Sequence, residues 1–191
     1  MPTTEPIVIV EGVTLRTRIV RKRVRNVNAR LVGDELRISA PTSISENELG
    51  KIVHELAGKL VRRARAARLN ASDEAPALAR RVAARFPEPP PFNDLIFVTT
   101  QRARWGSYSL RTGVVRLHAA LRQFPPWVLE AVVAHELAHV FHPNHSPAFW
   151  QLLHQVCPDT DRAKAFLEGV SWITQRWESL PPVERALLAE R

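Results

Sequence analysis

The stretch Ala134-His135-Glu136-Leu137-Ala138-His139-Val140 carries the most decisive pattern in this 191-residue chain. In a helix of 3.6 residues per turn, side chains four apart lie on one face, so His135 and His139 present adjacent imidazoles. Two neutral imidazoles in that arrangement bind a zinc ion, and the intervening Glu136 can reach a water on the metal and take its proton. Leu129, Val132, Val133, Leu137 and Val140 give the same helix an apolar side to bury. Catalytic zinc needs a third protein ligand and an open fourth position. Two histidines follow. His142 sits on or near the same helix, immediately before Pro143, whereas His145 lies beyond the proline, where the chain has turned back. His145 is therefore preferred. The chain also holds its own control: His54-Glu55-Leu56-Ala57-Gly58 repeats the first four letters without the second histidine and reads as ordinary helix surface.

Working outward, Pro125-Pro126 predicts a helix start, since proline is tolerated in a first turn, and the helix runs from about Trp127 to Phe141. Ser146-Pro147 predicts a capped restart bearing Phe149, Trp150, Leu153 and Val156, and a last long helix runs from about Asp161 to Trp172. Upstream, Leu95–Val98, Arg104–Ser109 and Val114–Leu117 read as strands, with Gly106 permitting close backbone approach. Phe149 and Trp150 read as packing for the third-ligand turn. Trp105 reads as core with Arg104 in a structural ion pair, or the pair marks a strand beside the metal helix that offers backbone groups to an extended peptide or a donor to a developing oxyanion. Residues 7–40 read as short strands around two turns, and Ser43 or Ser45 caps a helix to about Arg68. Strands, helix, strands, then helices make an α+β fold. The expected organisation is a basic sheet-and-helix region over 1–68, a connector over 69–93 in which Pro76 to Phe86 reads as a short helix before a stiff proline run, a metallohydrolase core over 94–178 and a tail over 179–191, packed as one compact unit.

The formal net charge is +8, and residues 1–68 hold 14 of the 27 Lys and Arg against 7 of the 19 Asp and Glu. Arg16, Arg18, Arg21, Arg23 and Arg25, with Arg62, Arg63, Arg65 and Arg68, are candidates for a face that binds an anionic partner, nucleic acid or nucleotide. No aromatic side chain in that region offers base stacking, and a run of arginines is also what a solvated surface presents. The single Cys157 excludes an internal disulfide and a multi-thiolate metal site. With no apolar run long enough for a span and no leader pattern, a cytoplasmic setting without membrane contact is expected.

Three motifs together, Arg104-Trp105-Gly106-Ser107, the helix with His135-Glu136-Leu137-Ala138-His139, and Asn144-His145-Ser146-x-x-Phe149-Trp150, resemble the YgjP-like metallopeptidase family, related to the SprT-like zincins. The resemblance covers about residues 10–175. It implies a zincin-like core with the motif helix beside a short sheet, one Zn²⁺ held by His135, His139 and His145, and Glu136 as general base in peptide-bond hydrolysis. The chain departs from the family at Tyr108, where cysteine is usual, so any role of that thiol is absent. Two other activities fit a metal site of this kind: a metal-dependent nucleotide phosphohydrolase, or a nucleic-acid-binding module whose zinc is structural. A glutamate beside the ligands has little purpose in the latter.

Overall fold

The computed structural model describes residues 7–189 and is α+β. It divides into two compact units, Met1–Ala71 and Ser72–Arg191.

In the first unit, β1 (Ile7–Val10), β2 (Val13–Lys22), β3 (Asn28–Val32) and β4 (Glu35–Pro41) form one sheet in the order β1-β2-β4-β3. β2 and β4 run parallel, and the outer pairs are antiparallel. Alternation in β2 and β4 sends Leu15, Leu36, Ile38 and Ala40 to one face, where they are buried. Helix α1 (Glu46–Leu69) covers that face with Leu49, Val53, Ala57 and Val61, one side of a helix at four-residue spacing. Of the two candidate caps, Ser45 is the one used: its hydroxyl accepts the Glu48 amide at 3.3 Å, and Glu46 and Glu48 favour the positive helix start.

The second unit begins with α2 (Glu74–Ala83), which lies in the stretch expected to be a connector. It is structural: Ala75, Leu78, Ala79, Val82 and Ala83 are buried, and the helix packs on β5 and α3. The sheet of this unit has β5 (Asp94–Val98) parallel to β7 (Val114–His118), with β6 (Gly106–Ser109) antiparallel to β7 at an edge. Against it lies α3 (Pro126–Ala138), followed by α4 (Pro147–Val156), α5 (Thr160–Arg176) and α6 (Pro182–Ala189). α3 ends three residues earlier than expected, with His139 as its C-cap, and α5 runs a turn further. Val128, Ala131, Val132, Val133, Ala134, Leu137 and Ala138 bury α3 on most of its circumference. His135 and Glu136 stand among these apolar residues, and His139 caps the helix.

Trp105 belongs to an edge-to-face chain of rings, Trp105–Phe124–Phe166–Trp127, at centroid spacings of 5.5, 5.3 and 5.6 Å. Its indole N–H donates to Ser171 Oγ at 3.2 Å, which ties the segment before β6 to α5. No helix among the described residues is long and apolar enough to cross a membrane.

Candidate metal centre

Helix α3 carries His135 and His139 one turn apart, and the turn after it brings His145 to them. The candidate ligand atoms of the three rings all lie within 4.8 Å of one another, and His135 Nε2 and His145 Nε2 face each other at 3.0 Å. The return is made by a Ser146 cap. Its hydroxyl accepts the Phe149 amide at 3.4 Å and starts α4 with Pro147 in the first turn. α4 then sets Phe149, fully buried, beneath all three imidazoles at centroid distances of 5.0, 4.8 and 4.8 Å. Trp150 stacks on His145 at 5.7 Å and 26°. Both aromatics thus pack the ligand turn, as their spacing after the cap suggests.

The electrostatics suit a divalent metal. Burial, with the neighbouring His139 and His145, lowers the His135 pKa to about 4, so this ring is neutral with a free lone pair at neutral pH. Burial lowers His139 as well. His139 Nδ1 lies 3.1 Å from the His142 carbonyl, which fixes the N–H on that nitrogen and leaves Nε2 for a metal. His142 therefore contributes its backbone, while His145 contributes its ring. Three imidazoles whose ligand atoms lie this close together are a donor set that fits zinc.

Glu136 is buried beside them, against the edge strand. Position 106 has no side chain for a direct reason: a Cβ there would lie 2.8 Å from the Glu136 carboxyl carbon, and closer still to Oε1. Burial raises the Glu136 pKa to about 7, opposed by a hydrogen bond from the Tyr108 backbone amide and by the charge of Arg104. Arg104 is exposed and forms no ion pair among the described residues, so the structural pairing expected for it is absent. Tyr108 turns its hydroxyl to the Pro91 carbonyl at 3.1 Å. Its backbone, common to any residue at that position, is what meets Glu136.

The three histidines and Glu136 open onto a cleft of about 890 Å³. One wall is the segment Arg104–Tyr108; another is the face of α5 bearing Lys164, Leu167, Glu168 and Trp172. Sequence reasoning missed the α5 wall. Its spacing of three and four residues is visible in the sequence, yet nothing there says which face of α5 meets the cleft. Leu110 and Trp172, 68% and 54% exposed, leave apolar surface on the cleft lining.

Comparison with solved structures finds likeness to the metallopeptidase zymogen of Pyrococcus abyssi abylysin, at 20% identity and a TM-score of 0.44, over 53% of this chain and 93% of that one. No curated protein matches the sequence. The family model of the YgjP-like metallopeptidase domain matches residues 64–169, a span that includes α3, the ligand turn and the edge strand. With more than half of its length matched, the chain belongs to the YgjP-like metallopeptidase domain family.

Proposed function

We propose that this protein is a zinc-dependent metallopeptidase in which His135, His139 and His145 hold the metal and Glu136 is the general base. One observation carries the reading: three imidazoles with donor atoms within 4.8 Å of one another stand beside a buried carboxylate, in an open cleft. A divalent metal held there supplies a Lewis acid that polarises a carbonyl and acidifies water at the open position. The chain's own groups do the rest. β6 is paired with β7 on one side only, so the rest of its outer edge, beyond the Tyr108 amide that Glu136 takes, can align an extended peptide through backbone hydrogen bonds. Leu110 and Trp172 offer contact to apolar side chains, which suits a peptide better than a nucleotide.

Glu136, with a pKa near 7, accepts the proton of the attacking water at its carboxylate as the new C–O bond forms. It returns that proton to the amine nitrogen as the C–N bond breaks. The Tyr108 amide and Arg104 hold the carboxylate in its ionised form often enough to act as a base, and burial keeps it basic enough to be useful. Gly106 gives it room to sit between the metal ligands and the substrate strand.

The test is elemental analysis of protein purified without chelator or metal affinity, joined to cleavage of an unstructured protein substrate. One zinc per chain is expected in the wild type, with marked loss in His145→Ala. Glu136→Gln should retain zinc and lose turnover. A folded wild type that refuses zinc, or full cleavage by Glu136→Gln, would overturn the assignment.

A further inference from the structure

The uncovered face of the first unit's sheet carries its own signal. Strand register sets Arg18 of β2 opposite Arg37 of β4, and Arg37 opposite Arg30 of β3. Alternation sends all three to the face away from α1, and all three are exposed. Three arginines in direct cross-strand register repel one another, an arrangement that destabilises a sheet unless something anionic lies across it. Among the described residues, nothing supplies enough of that. Arg18 and Arg30 pair with no carboxylate among the described residues; Arg37 Nε reaches Glu35 at 2.7 Å, and Arg16 pairs with Asp34 at 2.8 Å. Glu35 and Asp34 are the acidic groups that neighbour the ladder, and each is already engaged. Lys22 adds a further cation at the end of β2, and Arg23 and Arg25 follow on the connection that carries the chain past β4 to β3.

Other arginines singled out in the sequence fall elsewhere. Arg21 is spent on structure: its guanidinium donates to the carbonyls of Pro41 at 3.1 Å and Ile44 at 2.6 Å, and to Glu46. Arg62 pairs with Glu11. Arg63, Arg65 and Arg68 are exposed on α1, which covers the opposite face of the sheet. The strand and helix arginines are thus two surfaces, and only the first is ordered by register.

We propose that this arginine ladder binds duplex DNA through its phosphates, independently of base sequence. With strands about 4.8 Å apart, Arg18 and Arg30 are roughly 10 Å apart at Cα. Long guanidinium arms at that spacing reach the two phosphate rows bordering a B-form minor groove about 6 Å wide. Guanidinium forks match phosphate oxygens two at a time. The first unit has no Phe, Trp or Tyr, so it lacks the stacking platforms with which proteins hold splayed single strands. Duplex RNA presents a wide, shallow minor groove instead, in which the same span does not meet both rows.

The test is fluorescence anisotropy of the full chain with a labelled 20-base-pair DNA duplex over a salt series. Each phosphate neutralised contributes about 0.9 to the slope of log K against log salt. The variant Arg18→Gln/Arg30→Gln/Arg37→Gln should reduce that slope by about 2–3 and weaken binding at least 10-fold at low salt. Arg18→Gln/Arg30→Gln, which leaves the Arg37–Glu35 pair intact, should reduce it by about 2. Arg63→Gln/Arg65→Gln/Arg68→Gln removes the same charge from the helix and should leave the slope nearly unchanged. Equal losses in the ladder and helix variants, no duplex binding by the wild type, or tighter binding to an RNA duplex, a single strand or polyaspartate would overturn the proposal.

Discussion

His54-Glu55-Leu56-Ala57 and His135-Glu136-Leu137-Ala138 are the same four residues on two helices, and the molecule treats them oppositely. On α1, His54 and Glu55 are exposed, and Glu55 makes a 2.6 Å bridge to Lys59 one turn on. That partner lowers the Glu55 pKa. On α3 the glutamate is buried against Gly106 and its pKa is raised to about 7. Local sequence makes a helix in both places. What converts one into a candidate centre is its setting: a fifth residue that is histidine, a returning turn that adds His145, and an edge strand with a residue small enough to admit the carboxylate.

The sharpest way to break this comparison is to neutralise the two glutamates separately. Glu136→Gln should lower turnover of a peptide substrate by about 10²–10⁴-fold, the usual contribution of a positioned general base. Glu55→Gln should leave turnover unchanged. Steady-state kinetics on both variants decides it, and equal behaviour would mean that the setting of Glu136 confers nothing.

Gly106→Ala comes next. The added methyl would collide with the Glu136 carboxylate, which must rotate or shift away from its place beside the histidines. Zinc content should hold, since the atoms nearest an added Cβ all belong to Glu136, while kcat falls by about 100-fold, a cost typical of displacing a catalytic group by an ångström. Loss of zinc in step with activity would show instead that position 106 supports the metal ligands.

The third expectation concerns the metal-free protein and the cost of hiding a charge. Glu136 has a folded pKa near 7 against an ordinary value of 4.5. Between those values the folded state binds more protons than the unfolded one, so this group removes stability as pH rises, and the full cost stands above pH 7. The shift corresponds to about 3 kcal/mol. His135, lowered to about 4, acts in the opposite sense, costing stability as pH falls from 6.5 toward 4, so the two slopes oppose each other in that window. Glu136→Gln removes only the carboxylate's share. Denaturant unfolding of metal-free wild type and Glu136→Gln should give nearly equal stabilities at pH 4.5, and an advantage of order 3 kcal/mol for the variant at pH 8. A constant difference across pH would contradict the burial assigned to Glu136.

How much of this is legible in the sequence depends on the range of the interaction. Period-two alternation in β4, the Ser45 and Ser146 caps, and the four-residue histidine spacing act within one or two turns, and each is readable. So is the α+β order, and the three motifs suffice to identify the family. Pairing is another matter. That β2 lies parallel to β4 while β3 takes the edge depends on a connection over residues 23–27 that bears no distinctive turn signal. The arginine ladder exists only in that register. A short helix over Pro76 to Phe86 is readable inside the expected connector, but that its alanines and Leu78 pack on α3 and β5 is not. Gly106 reads as a permissive residue, and only the fold reveals that what it admits is a carboxylate from another element. His142 illustrates the same limit in one residue: its ring reads as a rival ligand, and its carbonyl turns out to orient His139.

The smallest expected effect is also the most pointed challenge to the comparison. Gly58→His puts a second imidazole four residues after His54 on α1, so that both helices carry the full five-residue motif. A Cβ at 58 would lie 3.3 Å from Arg62 Nη1 and 3.5 Å from Val10 Cγ2, which leaves an imidazole to press into the junction of α1 with β1. A residue other than glycine regains up to about 1 kcal/mol of helix propensity. Crowding costs about 1–3 kcal/mol, so a modest net loss of stability is expected and the fold survives. No metal site should follow. His54 stays in solvent, position 58 is buried, and His135, His139 and His145 form the only group of three potential ligands among the described residues. Zinc stoichiometry measured against a mild chelator should be one per chain, the value expected of the wild type. A second tightly held zinc would mean that five letters on a helix suffice, and that burial, the returning turn and the edge strand around Glu136 are incidental to metal binding.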